Sequence, residues 1–346
     1  MNYRLKVNES IAKGVSRVGL EQIGIAEARL ARRSDAAAAI HDTRRCLKRM
    51  RALLRLVRPA LPESTYKREA NRLAGIGRLL AGARDQYVMQ QTLEKLRDRF
   101  EGLPKRIAKQ LNRLMANGAR ADGSRQISAQ RRQALESLQQ GRLFFTRVEN
   151  RNLTIEHVAA GLERSYKRAR RAFHEAYHKP GDEAFHELRK TVQQHWRHMQ
   201  LLSGGWPEVI SARADEAKEV SRLLGTDHDL HVLLAFATER GKVVLSGEEL
   251  ATLTTMCRSL QEELRALAKP RGARLFAEPA KDLTERIGLY WQAAQELGVA
   301  RLQHERAAEE EVAKPVARKR RPRAARPAGQ AASRGLPAPG SGSGGR

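Results

Sequence analysis

The sequence predicts an all-α fold made of two helical bundles in tandem. Three observations carry that expectation. Apolar residues recur at helical spacing along almost the whole chain. No run of alternating β-branched residues extends beyond a few positions. Two segments of the first half are echoed about 145 residues later, the mark of an internal duplication. Composition agrees: Ala, Leu, Arg and Glu are abundant, and aromatics are only 5% of the 346 residues.

The expected elements follow from caps and breakers. Ser10 is placed to cap a helix over 11–33. A second helix over 35–57 stops before Arg58-Pro59, because proline removes a donor and restricts the residue before it. Helices over 63–80 and 85–100 follow, and Gly102 and Pro104 break the pattern. Residues 105–117 and 127–140 are helical again on either side of "ANGARADGS". The second half reads as helices over 154–178, 183–202, 208–224, 229–240, 247–267 and 281–297. "HKPGD" and "SGGWP" are the turns flanking 183–202. Residues 306–346 are rich in Arg, Pro and Gly, cannot bury a core, and are expected to be disordered.

The repeat fixes the domain organisation. "AIHDTRRCLKRMR" (39–51) is echoed by "AFHELRKTVQQHWR" (184–197), and "GRLLAGARDQYV" (77–88) by "VSRLLGTDHDLHV" (220–232). In the second pair Arg78 aligns with Arg222 and Asp85 with Asp229. One domain over 9–305 is expected, with repeats at about 9–150 and 151–305.

The net charge is +26, and nine Lys/Arg of 313–346 account for part of it, leaving +17 on residues 1–312. Such self-repulsion points to a polyanionic partner. The charge is ordered on the second helix. With an advance of ~100° per residue, Leu47, Met50, Leu54 and Val57 share one arc. His41, Arg44, Lys48, Arg51 and Arg55 share a second arc free of acids, whose centre lies ~120° away, and Arg45 sits at its edge. Arg49 falls outside both arcs and is expected to face solvent. On the echo helix His186, Arg189, Lys190, Gln193 and Arg197 form the polar arc, beside Phe185, Leu188, Val192, Trp196 and Met199. Solvated helix faces usually alternate charge signs at i,i+4, and the stripe over 41–55 does not.

These motifs resemble those of the CHAD family, the conserved histidine α-helical domain. His41-x-x-Arg44-x-x-x-Lys48-Arg49-x-Arg51 carries the likeness in the first half, and His186-x-Leu188-Arg189-Lys190 with Arg197 in the second. "RLLAGARDQYV" and "RLLGTDHDLHV" look like the family's Leu-Gly-x-x-Arg/Asn-Asp elements, and "RSYKRARR" (164–171) like the basic helix opening its second half. The likeness covers about residues 9–300. It implies two four-helix bundles with pseudo-twofold symmetry, a basic central groove that binds inorganic polyphosphate, and association with polyphosphate granules. The implied polyphosphate-binding set is His41, Arg44, Arg45, Lys48, Arg51, Arg55, Arg78, Lys167, Arg170, Arg171, His186, Arg189, Lys190, Arg197 and Arg222. The chain departs from the pattern at Gln193 and Gln194, where the family commonly has Lys or Arg, and at His228, where it has Arg or Asn.

A phosphate chain suits these residues, since Arg supplies bidentate forks, Lys supplies point charges, and there are no base edges to read. Few aromatics interleave the bases, so stacking platforms for single-stranded nucleic acid are missing. The tail "ARKRRPRAARP" suits weak, nonspecific nucleic-acid binding. No paired carboxylates, nucleophile elbow or Gly-rich phosphate loop is present, so no catalysis and no cofactor are expected. His41-Asp42 is read against a metal phosphohydrolase, because cations surround it. Asp227-His228-Asp229 with His231, and His195 with His198, have metal-like spacing but are read as surface or core-edge histidines. Asp85 and Asp229 are expected to cap helices or pair with bases. Cys46 and Cys257 follow no metal or disulfide spacing and are read as reduced thiols of a cytoplasmic protein. Neither a secretory leader nor a membrane span is expected.

Overall fold

The structure, a computed structural model, describes residues 3–32, 36–80, 82–121 and 124–313. Among them are eleven α-helices and no strand. In order they are α1 (Ile11–Ala31), α2 (Ala36–Leu56), α3 (Glu63–Leu79), α4 (Gly82–Arg99), α5 (Lys105–Ala121), α6 (Ser124–Val148), α7 (Ile155–His178), α8 (Asp182–Leu202), α9 (Pro207–Arg240), α10 (Gly247–Leu275) and α11 (Ala280–Ala313). The chain divides into a compact unit over 1–301 and a second over 302–346. Most of the expected disordered tail, 314–346, lies outside the described residues. Residues 306–313, placed in that tail by composition, continue α11. Their sequence, "AAEEEVA" after Arg306, consists mainly of good helix formers.

Local signals start and stop the helices as expected at several points. The Ser10 hydroxyl accepts from the Lys13 amide at 3.2 Å to cap α1. Ser246 and Glu249 form a capping box on α10. α2 ends in a short 3-10 turn over Arg58–Ala60. Several helices run past their expected ends, α6 to Val148, α10 to Leu275 and α11 to Ala313, and one expected break is absent. The helices expected over 208–224 and 229–240 are a single 34-residue α9. "GTDHD" reads as a breaker, yet the buried Asp227 accepts from Arg265 Nε at 2.6 Å, and its carbonyl accepts from Gln261 Nε2 at 3.1 Å. Those partners on α10 outweigh the local preference. Asp229 therefore lies inside α9 and Asp85 inside α4, neither at the cap position.

Two helix groups face each other across α2 and α8. α1, α2, α3 and α6 pack together, as do α7, α8, α9 and α10. The α4–α5 hairpin does not complete the first group alone but reaches α9. Arg99 pairs with Glu263 of α10 at 3.1 Å and Arg106 with Glu249 at 2.9 Å. α2 touches α1, α3, α4, α7 and α8, so it is buried more widely than its expected arc. Leu47, Met50, Leu54 and Val57 are buried as expected, and Cys46, Ala52, Leu53 and Leu56 are buried too. Both cysteines are buried free thiols, and burial raises their pKa values, for Cys257 to about 12. No helix among the described residues is long and apolar enough to cross a membrane.

The contact between the groups is close. At Gly161 of α7 a Cβ would stand 1.8 Å from the backbone oxygen of Leu56 at the end of α2. Only glycine permits this approach. Gly161→Ala is therefore expected to destabilise the protein by ~3 kcal/mol or more in urea titrations. Gly24→Ala, in α1 where a Cβ would meet nothing within 4 Å, should stabilise by about 0.5–1 kcal/mol. Equal effects at the two positions would contradict this packing.

Candidate functional site

A cavity of about 430 Å³ opens between α2 and α8, with walls from α4, α7 and α9. α2 contributes Arg44, Lys48, Arg51, Ala52 and Arg55. α8 contributes His186, Arg189, Lys190, Thr191, Gln193, Gln194 and Arg197. Arg168 stands on α7, Val88 on α4, and His228, Asp229 and Val232 on α9. Eight Lys/Arg thus line the cavity with one carboxylate, and no Phe, Tyr or Trp lines it among the described residues.

Each wall holds its cations in place from behind. The joint between the groups is polar: Arg55 Nη1 donates to Gln194 Oε1 at 3.1 Å, and Gln194 Nε2 donates to Ser165 Oγ at 2.7 Å. His198 Nε2 donates to the Ala52 carbonyl at 3.0 Å. The departure at Gln194 therefore serves the α2–α7–α8 joint, which a second base facing Arg55 would oppose. Arg44 Nη1 donates to the Gly77 carbonyl at 2.7 Å, at the end of α3 where the helix dipole favours cations. Arg197 is buried, donates Nη1 to the Gln193 carbonyl at 2.7 Å, and lies 4.8 Å from the Trp196 ring centre.

The accumulated charge is visible in the proton affinities. Burial, then Arg55, Arg44 and Arg78, lower the pKa of Arg51, to which no carboxylate is paired among the described residues. Burial lowers Arg197 to about 10. His186 and His228 stack with ring centres 4.2 Å apart and share a hydrogen bond between Nδ1 atoms at 3.0 Å. Burial, then Lys190 and Arg189, lower His186; burial, then Arg189 and His186, lower His228 to about 3. The free cavity therefore carries fixed Arg and Lys charge and a neutral histidine pair. It can hold a polyvalent anion by charge-assisted hydrogen bonds from several directions.

Of the expected set, Arg44, Lys48, Arg51, Arg55, His186, Arg189, Lys190 and Arg197 come together here. The others stand elsewhere. His41 is exposed on α2, and Arg45 lies 3.6 Å from Asp42. Arg78 is exposed on α3 beside a shallow depression lined by Arg72, although its charge reaches Arg51. Lys167 pairs with Glu163 at 2.6 Å, and Arg222 with Glu219 at 2.6 Å. Arg170 Nε donates to the Phe276 carbonyl at 3.1 Å, and Arg171 is exposed. Arg49 is half-buried rather than solvated: it donates to Gln22 Oε1 at 3.3 Å and covers the Tyr3 ring. His195 and His198 are core residues of α8, and His231 pairs with Asp182 at 3.0 Å. Arg168, His228 and Asp229 were not expected in the lining.

A fold that is all-helical among the described residues, with an ordered cationic cavity on its central helices, defines the class of protein. The CHAD domain family model matches residues 19–238, and the chain belongs to that family. The crystal structure of the CHAD domain from the plant Ricinus communis is similar at TM-score 0.59 and 17% identity, covering 80% of this chain and 95% of that one. At that identity the likeness bears on the fold. Among curated proteins, none matches.

The buried histidines make stability acid-sensitive. Burial, then Arg213, holds His195 well below 6.5, and burial holds His198 at about 4 despite its bond to Ala52. Their folded values lie below the unfolded value, so the unfolded chain binds more protons in acid. Their contribution is complete above pH 6.5 and is lost as the pH falls toward the folded values. The urea midpoint is expected to drop between pH 6.5 and about pH 5, above the ordinary carboxylate range. An unchanged midpoint over that window would contradict neutral burial.

Proposed function

We propose that the chain binds inorganic polyphosphate in the α2–α8 cavity, without catalysing its breakdown. One observation carries the reading: eight Lys/Arg line a cavity with a single carboxylate and no aromatic ring among the described lining residues. The family to which the chain belongs is associated with polyphosphate, which agrees with this chemistry. A polyphosphate chain presents anionic oxygens along its length, so the α2 cations can hold one side and Arg189, Lys190 and Arg168 the other. Release of counterions from the chain supplies affinity, by analogy with DNA. Burial, and after it the neighbouring cations, keep His186 and His228 neutral; an anion in the cavity offsets the second of these, so proton uptake accompanies binding. Concentration on polyphosphate granules in the cytoplasm follows from the same reading. No cofactor or metal is needed.

The alternative class is nonspecific nucleic-acid binding, for which the arginine-rich tail is the supporting feature. A base-free polymer fits the cavity better, since it offers cations without stacking platforms. A third reading is an adaptor that recruits another protein to granules.

Competition between long-chain polyphosphate and DNA separates them, run at several salt concentrations with and without residues 314–346. Polyphosphate should win on both forms, with log affinity falling steeply with log salt. Arg51→Glu with Arg189→Glu should weaken polyphosphate binding by at least about tenfold. Equal competition by DNA on the shortened chain would overturn the proposal. Normal granule targeting after Arg44, Lys48, Arg51 and Arg189 are all changed to Glu would favour the adaptor.

A further inference from the structure

Residues 3–7 form an extended strap ahead of α1. In "YRLKV" apolar and basic side chains alternate, the pattern of an extended segment with one face buried. Tyr3 and Leu5 are buried, Val7 is half-buried and Lys6 is exposed. The Leu5 amide donates to the Leu201 carbonyl at 2.8 Å, which lays the strap across the end of α8. Arg17 of α1 donates to the Arg4 carbonyl at 2.9 Å, and Gln295 of α11 donates to the Val7 carbonyl at 3.4 Å. The strap lies outside residues 19–238, which the family model matches.

Tyr3 ends in the wall behind the cavity. Its hydroxyl donates to the Arg49 carbonyl of α2 at 2.8 Å, and the Arg49 guanidinium stands 5.1 Å from the ring centre. Arg197 of α8 is its other cationic neighbour. Burial raises the pKa of the phenol, and Arg197, then Arg49, act against it. Burial likewise lowers Arg197, and Tyr3 is the first neighbour to offset that. Arg197 lines the cavity and Tyr3 does not, so the ring backs the guanidinium from outside the cavity.

Arg197 needs such a wall. It is 6% exposed, and no carboxylate pairs with it among the described residues. Its Nη1 donates to the Gln193 carbonyl at 2.7 Å, and the Trp196 ring centre lies 4.8 Å away. Other well-buried arginines meet acids: Arg213 pairs with Glu278, and Arg265 with Asp182 and Asp227. A buried cation without a carboxylate suits an incoming anion, provided that the guanidinium has no space behind it to turn into. We propose that Tyr3 is a positioning residue, through which the strap holds the Arg197 guanidinium toward the cavity for a phosphate oxygen. The proposal rests on the polyphosphate reading above. Without the ring, water enters behind Arg197, hydrates the guanidinium and lets the side chain turn away. The ligand must then reorder it on binding, which costs affinity.

A strap that only stabilises the fold predicts otherwise. Removing its ring would lower the melting temperature and leave the affinity of the folded protein unchanged. Any loss it did cause would add independently to a change at Arg197.

The test is calorimetric titration of the full chain with long-chain polyphosphate at several salt concentrations. The variants are Tyr3→Ala, Tyr3→Phe, Arg197→Met, the double variant Tyr3→Ala/Arg197→Met, and Leu253→Ala. Melting curves confirm that each is folded at the temperature used, and Tyr3→Leu replaces Tyr3→Ala if the latter is not. Tyr3→Ala and Arg197→Met should each weaken binding by about tenfold and flatten the slope of log affinity against log salt by about one. The double variant should bind no more weakly than Arg197→Met, because Tyr3 acts through Arg197. Tyr3→Phe keeps the ring and should restore binding to within about twofold of wild type. Leu253→Ala leaves a hole in the core of α10 and should lower the melting temperature without changing affinity. Unchanged binding by folded Tyr3→Ala, additive losses in the double variant, or an equal loss from Leu253→Ala would overturn the proposal. If wild type does not bind the probe, the polyphosphate reading itself fails, which is a distinguishable outcome.

Discussion

Two helices rich in arginine are held side by side against their own repulsion, and the site depends on that constraint. Coulomb repulsion between α2 and α8 would open the cavity, since like charges a few ångströms apart interact strongly where water is scarce. The opposing contacts are short-range and specific. Gly161 lets α7 approach the end of α2. His198 ties α8 to the Ala52 carbonyl, and Gln194 joins Arg55 to Ser165. Apolar burial of α2 against five neighbouring helices supplies the bulk of the attraction. The cavity is thus a place where packing keeps cations together before any anion arrives, which lowers the reorganisation a ligand must drive.

The acids on the remaining flanks complete the arrangement. Asp182, which burial alone would raise, is lowered to about 2 by hydrogen bonds from Arg265 and Arg258. Asp227 and Asp182 together fix Arg265, tying α10 to the start of α8 and the middle of α9. Several bases outside the cavity are answered in this way, as at Lys167, Arg213 and Arg222. Inside it Arg44 meets the Gly77 carbonyl, Arg55 meets Gln194 and Arg197 meets the Gln193 carbonyl, Arg168 and Lys190 pair with Glu187, and Asp229 is the one carboxylate among the described lining residues.

Much of this was legible in the sequence because helical phase is set by geometry alone. The arcs on α2 and α8 placed Arg44, Lys48, Arg51, Arg55, His186, Arg189, Lys190 and Arg197 correctly beside a buried stripe. Arg168 was missed within "RSYKRARR", where Lys167, Arg170 and Arg171 were preferred. The same phase reading of α7 puts Arg168 and Arg170 on opposite flanks of its buried face and Lys167 opposite it. It cannot say which flank meets α8: Arg168 does, and Arg170 meets the end of α10 instead. The continuous α9 was also hidden, because "GTDHD" signals a break locally and only Arg265 and Gln261, more than thirty residues away, overrule it. Helical phase also put His41 on the cationic arc, yet it is exposed on α2 and outside the lining. The motifs drew attention to Arg78 and Arg222, and a motif position does not reveal that Arg222 is already held by Glu219.

The central claim is that the α2–α8 cavity is the anion site, and a crystal structure with bound tripolyphosphate tests it most directly. The account predicts phosphate oxygens between the two helices, with Arg51 and Arg55 on one side and Arg189 and Lys190 on the other. Ligand bound on another face while the cavity stays empty at saturating concentration would contradict it.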